Sequence, residues 1–155
     1  GYAIGSAPII GYHYGAINHS ELKNMLKKSI IIMSISGVIM TLLAQALALP
    51  IAKVFVGYDE GLFDMTVHAF RVFSFSFILA GINIFASSFF TALNNGAVSA
   101  AISFLRTLIF QSTAVIVLPM IWELDGIWLS ITVAEVFALI ISVTFLAAKR
   151  KKYNY

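Results

Sequence analysis

Four stretches of the 155-residue chain are apolar on every helical face and long enough to cross a bilayer. They cover residues 29–50, 66–93, 100–121 and 127–148. A hydrocarbon core of about 30 Å needs about 20 such residues per helix. A fifth apolar run, 1–16, is shorter than a span and reads as the end of a truncated helix. Strands of a membrane barrel would alternate apolar and polar residues over about 10 positions, and these runs do not. The predicted class is therefore all-α: a polytopic transmembrane helical bundle of four full spans plus a partial one.

The connections carry most of the charge. Glu21, Lys23, Lys27 and Lys28 follow the first piece, and Lys53, Asp59, Glu60 and Asp64 follow the first full span. The third connection, Asn94-Asn95-Gly96, is neutral; the fourth holds Glu123 and Asp125, and Lys149, Arg150, Lys151 and Lys152 lie at the end. Threading four spans puts Lys23, Lys27, Lys28 and the terminal cluster on one side, with Lys53 and five acids on the other. The positive-inside rule then places the first loop and the C-terminus in the cytoplasm, and the protein in the cytoplasmic membrane. Trp122, Trp128, Tyr153 and Tyr155 flank the last span as interfacial aromatics would.

Composition agrees with lipid as the solvent. Hydrophobic residues make up 60% and charged residues 11%, with mean hydropathy +0.93; a soluble domain carries about 25% charged residues. Cysteine is absent, which excludes disulfides and thiolate chemistry. The net charge of +3 resides largely in the basic tail, with Lys149 and Arg150 as a topogenic anchor touching anionic headgroups. No basic surface persists beyond that tail, so no nucleic-acid partner is expected.

Small residues mark where helices approach closely, because lipid supplies no hydrophobic drive for helix association. The first full span aligns Ser34, Gly37, Thr41, Ala44 and Ala48 on one face; the second aligns Ser74, Gly81 and Ser88. Gly11 and Gly15 form a small pair in the first piece. Pro50 and Pro119 stand in the outer turns of their spans, where they are expected to end or kink a helix.

Candidate chemistry is confined to polar residues inside the spans. Glu135 lies eight residues after Ile127, about 12 Å below the outer interface, where an ionised acid costs about 3 kcal/mol. Two readings stand side by side: a coupling carboxyl in a wet cavity, or an acid held by hydrogen bonds from neighbouring helices. Gln111, about 15 Å deep on the antiparallel neighbour, is placed to bond Glu135. Arg106 falls about 22 Å deep, so a direct bridge to Glu135 is disfavoured and snorkelling towards the cytoplasmic headgroups is expected. Asn83 either lines a cavity or joins helices; His68 and Arg71 are expected at the interface. His13, His19 and His68 lack metal-ligand spacing, and no phosphate loop or nucleophile motif occurs. Neither an enzyme activity nor a resident cofactor is expected.

One stretch carries a family resemblance. Ala7-Pro8-Ile9-Ile10-Gly11-Tyr12-His13-Tyr14-Gly15-Ala16-Ile17-Asn18 resembles the segment closing the eighth helix of bacterial multidrug and toxic compound extrusion (MATE) transporters, commonly written APIIGYNYGA, a basic residue and Asn. Phe90-Thr91-Ala92-Leu93-Asn94 resembles the end of the tenth helix. Ser103-Phe104-Leu105-Arg106 and Leu118-Pro119 resemble the eleventh, and Gly126-Ile127-Trp128-Leu129 with Ala134-Glu135 the start of the twelfth. The resemblance implies part of helix eight through helix twelve, within the C-terminal lobe of a twelve-helix antiporter. Such a carrier expels organic cations or drugs against Na⁺ or H⁺ by rocking two lobes.

Its partners would be the lipid bilayer, the N-terminal lobe of the same polypeptide, and small cationic or amphipathic substrates. His13 departs from the usual Asn, and the tenth-helix segment has no acid to carry over a cation-binding carboxylate pair. Glu135 is the one candidate carboxylate left. Two other functions fit the helical plan: a lipid-linked oligosaccharide flippase of the same superfamily, and a non-transporting membrane subunit. The first would want several basic residues in its cavity where only Arg106 is available; the second, as a membrane enzyme, an intramembrane His or acid cluster.

Overall fold

A computed structural model describes residues 1–155, all helix and turn. The helices are α1 (Tyr2–Gly15), α2 (His19–Val56), α3 (Glu60–Ser74), α4 (Ser76–Ala92), α5 (Gly96–Phe104) and α6 (Ser112–Tyr153). A π-helical segment, Leu105–Gln111, joins α5 to α6. Helical backbone continues over the 58 residues Gly96–Tyr153, far longer than one crossing, and its most apolar 18-residue window has mean hydropathy 2.3. It doubles back at Trp122 (φ −121°, ψ 17°) and Glu123 (φ 50°, ψ −125°). The chain thus makes four crossings: α2, the α3–α4 pair, α5 through residue 121, and 124–153.

Three of the starts are set by short polar side chains at the interface. Asn18 Oδ1 accepts from Glu21 N at 3.3 Å, Asp59 Oδ1 from Leu62 N at 2.9 Å, and Asn95 Oδ1 from Val98 N at 3.3 Å. Each satisfies one of the amides that a helix start leaves without a partner. Left-handed backbone turns the chain at Ile17, Asn94, Glu123 and Asn154.

The helices depart from the expected spans at three places. α2 runs on through Pro50 to Val56, so the proline neither ends nor delimits it. At about 1.5 Å per residue its 38 residues reach about 57 Å, longer than the bilayer core is thick. The second crossing, expected as one helix, bends by 40° between α3 and α4. The last two crossings are separated by a two-residue reversal rather than a loop of residues 122–126.

The bend has a chemical support. Gln45 Nε2 donates to Arg71 O and to Ser74 Oγ, both at 2.8 Å, and Thr41 Oγ1 donates to Ser74 O at 3.0 Å. Carbonyls at the break are thus met by side chains of α2, which lets a helix bend inside hydrocarbon without stranding polar groups.

α4 is the hub. Its Phe85, Phe89 and Phe90 are buried against Ile10 of α1, Leu22 of α2, and Val98 and Ile102 of α5. The small-residue face of α2 meets both halves of the bent crossing: Gly37, Thr41, Ala44 and Ala48 are buried, Ala48 packs with Val67 of α3, and a Cβ at Gly37 would stand 2.7 Å from Phe77 O of α4. Tyr153 and Tyr155, expected at the interface, turn inwards instead. Asn154 adopts φ 53°, which returns Tyr155 to the bundle, edge-on to Phe89 at 5.1 Å, with its hydroxyl donating to Leu146 O.

Candidate functional site

Three helices meet at Glu135. It stands on the second arm of α6, 5% exposed, opposite Asn83 of α4 and Arg106 of the π segment. Its Oε1 accepts from Arg106 Nε at 2.9 Å and Nη2 at 2.5 Å. Its Oε2 accepts from Asn83 Nδ2 at 2.7 Å, and the same nitrogen donates to the Glu135 carbonyl at 3.0 Å. Asn83 is fully buried and its Oδ1 has no partner, so the amide is turned by the carboxylate. The Arg106 side chain retains 24% exposure. Two opposite unit charges about 4 Å apart attract by about 4 kcal/mol at an effective dielectric of about 20. Removing one partner of a buried pair costs about 3–5 kcal/mol, because the other charge is left uncompensated.

This geometry overturns the expected separation of Arg106 from Glu135. That expectation set Ile121 and Ile127 level at the outer interface, with a loop between them. The reversal lies instead at Trp122 and Glu123, and Gly126 packs on Leu118, where a Cβ would overlap the carbonyl. Counted from the reversal, Arg106 and Glu135 differ in depth by about 6 Å, which an arginine side chain spans. Arg106 pairs inwards and does not snorkel to headgroups. Gln111, expected to bond Glu135, ends the π segment half-buried, and its side chain makes no hydrogen bond. Asn83 joins helices, one of the two roles open to it.

A second polar cluster escaped the sequence reading. Ser87 Oγ lies 2.9 Å from Ser99 Oγ and 2.8 Å from Ser103 Oγ, and Thr91 Oγ1 lies 2.7 Å from Ser99 Oγ. These hydroxyls fasten α4 to α5. Their signal was there: Ser87 and Thr91, like Ser99 and Ser103, are four residues apart on one helix face. Gln45, the support of the bend, carries the same kind of signal as an amide inside a span. At the opposite end of the bundle from the basic segments, His68 Nε2 meets Asp125 Oδ1 at 2.8 Å, both half-exposed, tying α3 to the α6 reversal.

A family model described as MatE matches residues 1–116, three quarters of the sequence. The chain belongs to the MATE family. Two solved structures share its fold. The Vibrio cholerae MATE transporter VcmN in its bent form superposes with TM-score 0.89 at 16% identity over 98% of this chain. An inward-facing multidrug resistance MATE family transporter of the MOP superfamily gives 0.88 at 20% identity over 98%. The chain spans 34% and 36% of their lengths, about a third of each. A search of curated proteins found no match.

Within this MATE chain the segment 7–18 that carries the resemblance forms the second half of α1 and the turn into α2. Gly11 packs on α4, where a Cβ would stand 3.4 Å from Ala92 O, while nothing lies within 4 Å of Gly15. Tyr12 is exposed at 72%, its ring edge-on to His13 at 5.4 Å. Lys149 is half-buried, and Arg150 Nε donates to Tyr155 O at 3.2 Å.

Proposed function

We propose that this chain supplies part of helix eight through helix twelve of a secondary active antiporter that exports organic cations or drugs in exchange for H⁺ or Na⁺. Support comes from family membership and from a fold shared with two transporters. Alternating access in such carriers is the rocking of one repeat against another around a site at their interface, so activity belongs to the full-length protein. In that protein the Arg106–Glu135–Asn83 network is a clamp that makes helices ten, eleven and twelve move as one body. It is not the coupling group. The observation that carries this is that both Glu135 oxygens already accept from donors on two other elements, Arg106 of the π segment and Asn83 of α4.

The test is efflux of a fluorescent cation from vesicles bearing the full-length carrier with Glu135→Gln, driven by an imposed proton or sodium gradient. The clamp reading expects lower membrane abundance but efflux per inserted molecule within about twofold of wild type, since the loss falls on burial of Arg106. Normal abundance with efflux abolished under either gradient would return Glu135 to the coupling role.

A further inference from the structure

A groove opens between the start of α2 and the end of α6. Its cavity of about 470 Å³ is walled by Ile30, Ile31, Val143 and Leu146, with Lys23, Lys27 and Arg150 among its lining residues. No acidic side chain lines it. Its ends differ in chemistry. On α2 the lining runs from Lys23 and Lys27 to Ile30 and Ile31, about 12 Å along the helix axis. On antiparallel α6 it runs from Arg150 back through Leu146 to Val143. Cations therefore cluster at the end where α2 begins and α6 finishes, and apolar side chains continue towards the middle of the bundle.

None of the three cations pairs with an acidic side chain. The only ion pairs are His68–Asp125 and Arg106–Glu135. Arg150 gives its Nε to Tyr155 O, and its terminal amino groups have no protein acceptor. Glu21 is the one acid on the two basic segments, and its carboxylate accepts from Asn24.

We propose that this groove is a binding site for one anionic phospholipid, with the headgroup phosphate held by Lys23, Lys27 and Arg150 and one acyl chain laid between α2 and α6. The polarity of the groove matches that of a lipid standing in one leaflet: charge at the interface, hydrocarbon inwards. The volume lies within the range of about 300–1,000 Å³ typical of ligand sites. A membrane protein meets such lipids at high local concentration, and basic pockets between helices hold their headgroups. Tyr155 closes part of the wall, its hydroxyl bonded to Leu146 O, so the apolar end needs no polar partner from the ligand.

The test uses purified full-length carrier in mild detergent, with dioleoylphosphatidylglycerol or dioleoylphosphatidylcholine added at equal concentration. Retained lipid is read by native mass spectrometry and melting temperature by fluorescence. Wild type is expected to keep one phosphatidylglycerol per molecule and to melt higher with it than with phosphatidylcholine. The variant Lys23→Gln/Lys27→Gln/Arg150→Gln is expected to retain it more than about tenfold less, at about 1 kcal/mol per basic residue. Lys28→Gln/Lys151→Gln/Lys152→Gln removes the same charge outside the groove and is expected to keep the lipid. Equal losses in both triple variants would reduce the effect to bulk charge and overturn the proposal. Equal binding of both lipids, or no bound lipid in wild type because another part of the carrier fills the groove, would overturn it as well. Should the groove variant not fold, Lys27→Gln alone carries the test, with weaker phosphatidylglycerol retention expected and unchanged retention refuting.

Discussion

Adding one methyl group at Gly37 should separate two helices that the fold requires to touch. A Cβ there would stand 2.7 Å from Phe77 O, 2.9 Å from Ile78 Cα and 3.0 Å from Ile78 O. All three are backbone atoms of α4, so no rotamer change relieves the overlap. The helices must part by several tenths of an ångström. A radial gap of about 0.5–1 Å forfeits about a quarter to a half of each van der Waals contact along the seam. It would also stretch the 3.0 Å bond from Thr41 to Ser74 O, which supports the bend between α3 and α4. Overpacking costs about 1–3 kcal/mol and a weakened hydrogen bond about 1 kcal/mol more. Against this stands a gain of about 1 kcal/mol from alanine's higher helix propensity.

The expected net effect of Gly37→Ala is a loss of about 1–3 kcal/mol. Gly5→Ala is the control, because nothing lies within 4 Å of its Cβ position, and it should hold or raise stability. Both would be compared by thermal unfolding of full-length carrier in detergent, followed by size-exclusion chromatography. A Gly37→Ala protein as stable as Gly5→Ala would refute the close approach of α2 and α4.

Three further outcomes are expected. Ile17 holds φ 56° with its side chain 72% exposed, a left-handed conformation costing a β-branched residue about 1–2 kcal/mol. Ile17→Asn should therefore raise the melting temperature, and an unchanged or lower value would contradict the strain. Tyr155 lies outside the spans with its phenol pushed up to about 12, first by burial and then by Tyr153. Its docking should hold below about pH 10 and be lost as pH rises towards 12, because only the neutral phenol packs against Phe89 and donates to Leu146 O. The tyrosinate absorbance difference between wild type and Tyr155→Phe should thus have its midpoint near 12; a midpoint near the ordinary value of about 10 would refute the burial. For topology, an impermeant maleimide on intact cells should label a cysteine at Tyr58 and not one at Ser20, and the reverse would invert the orientation.

Crossings and packing faces were legible in the sequence because lipid demands uniformly apolar spans and small residues at helix contacts. Gly37, Thr41, Ala44 and Ala48, read as one face, are buried. What stayed hidden was local backbone geometry without a compositional marker. The bend falls at Phe75 with neither glycine nor proline there, and its support comes from Gln45 on another helix. The π segment is written in ordinary helix-compatible residues, Leu105 to Gln111. The reversal at Trp122 and Glu123 replaced an assumed loop, and that shift alone moved Arg106 into reach of Glu135. Depth arithmetic is only as good as its zero, and polar turn residues do not locate the zero to better than a helical turn.

The central claim is that Arg106 and Glu135 act on each other rather than on a transported ion. The double variant Arg106→Gln/Glu135→Gln tests it most directly, because it removes both charges and leaves neither stranded. Membrane abundance, melting temperature and gradient-driven efflux would be measured for wild type, both single variants and the double variant in the full-length carrier. Each single change should destabilise the protein by about 3–5 kcal/mol. The double variant should recover most of that loss and pump with it. A double variant that is as abundant and stable as wild type but does not pump would contradict the clamp and make the pair part of the transport chemistry.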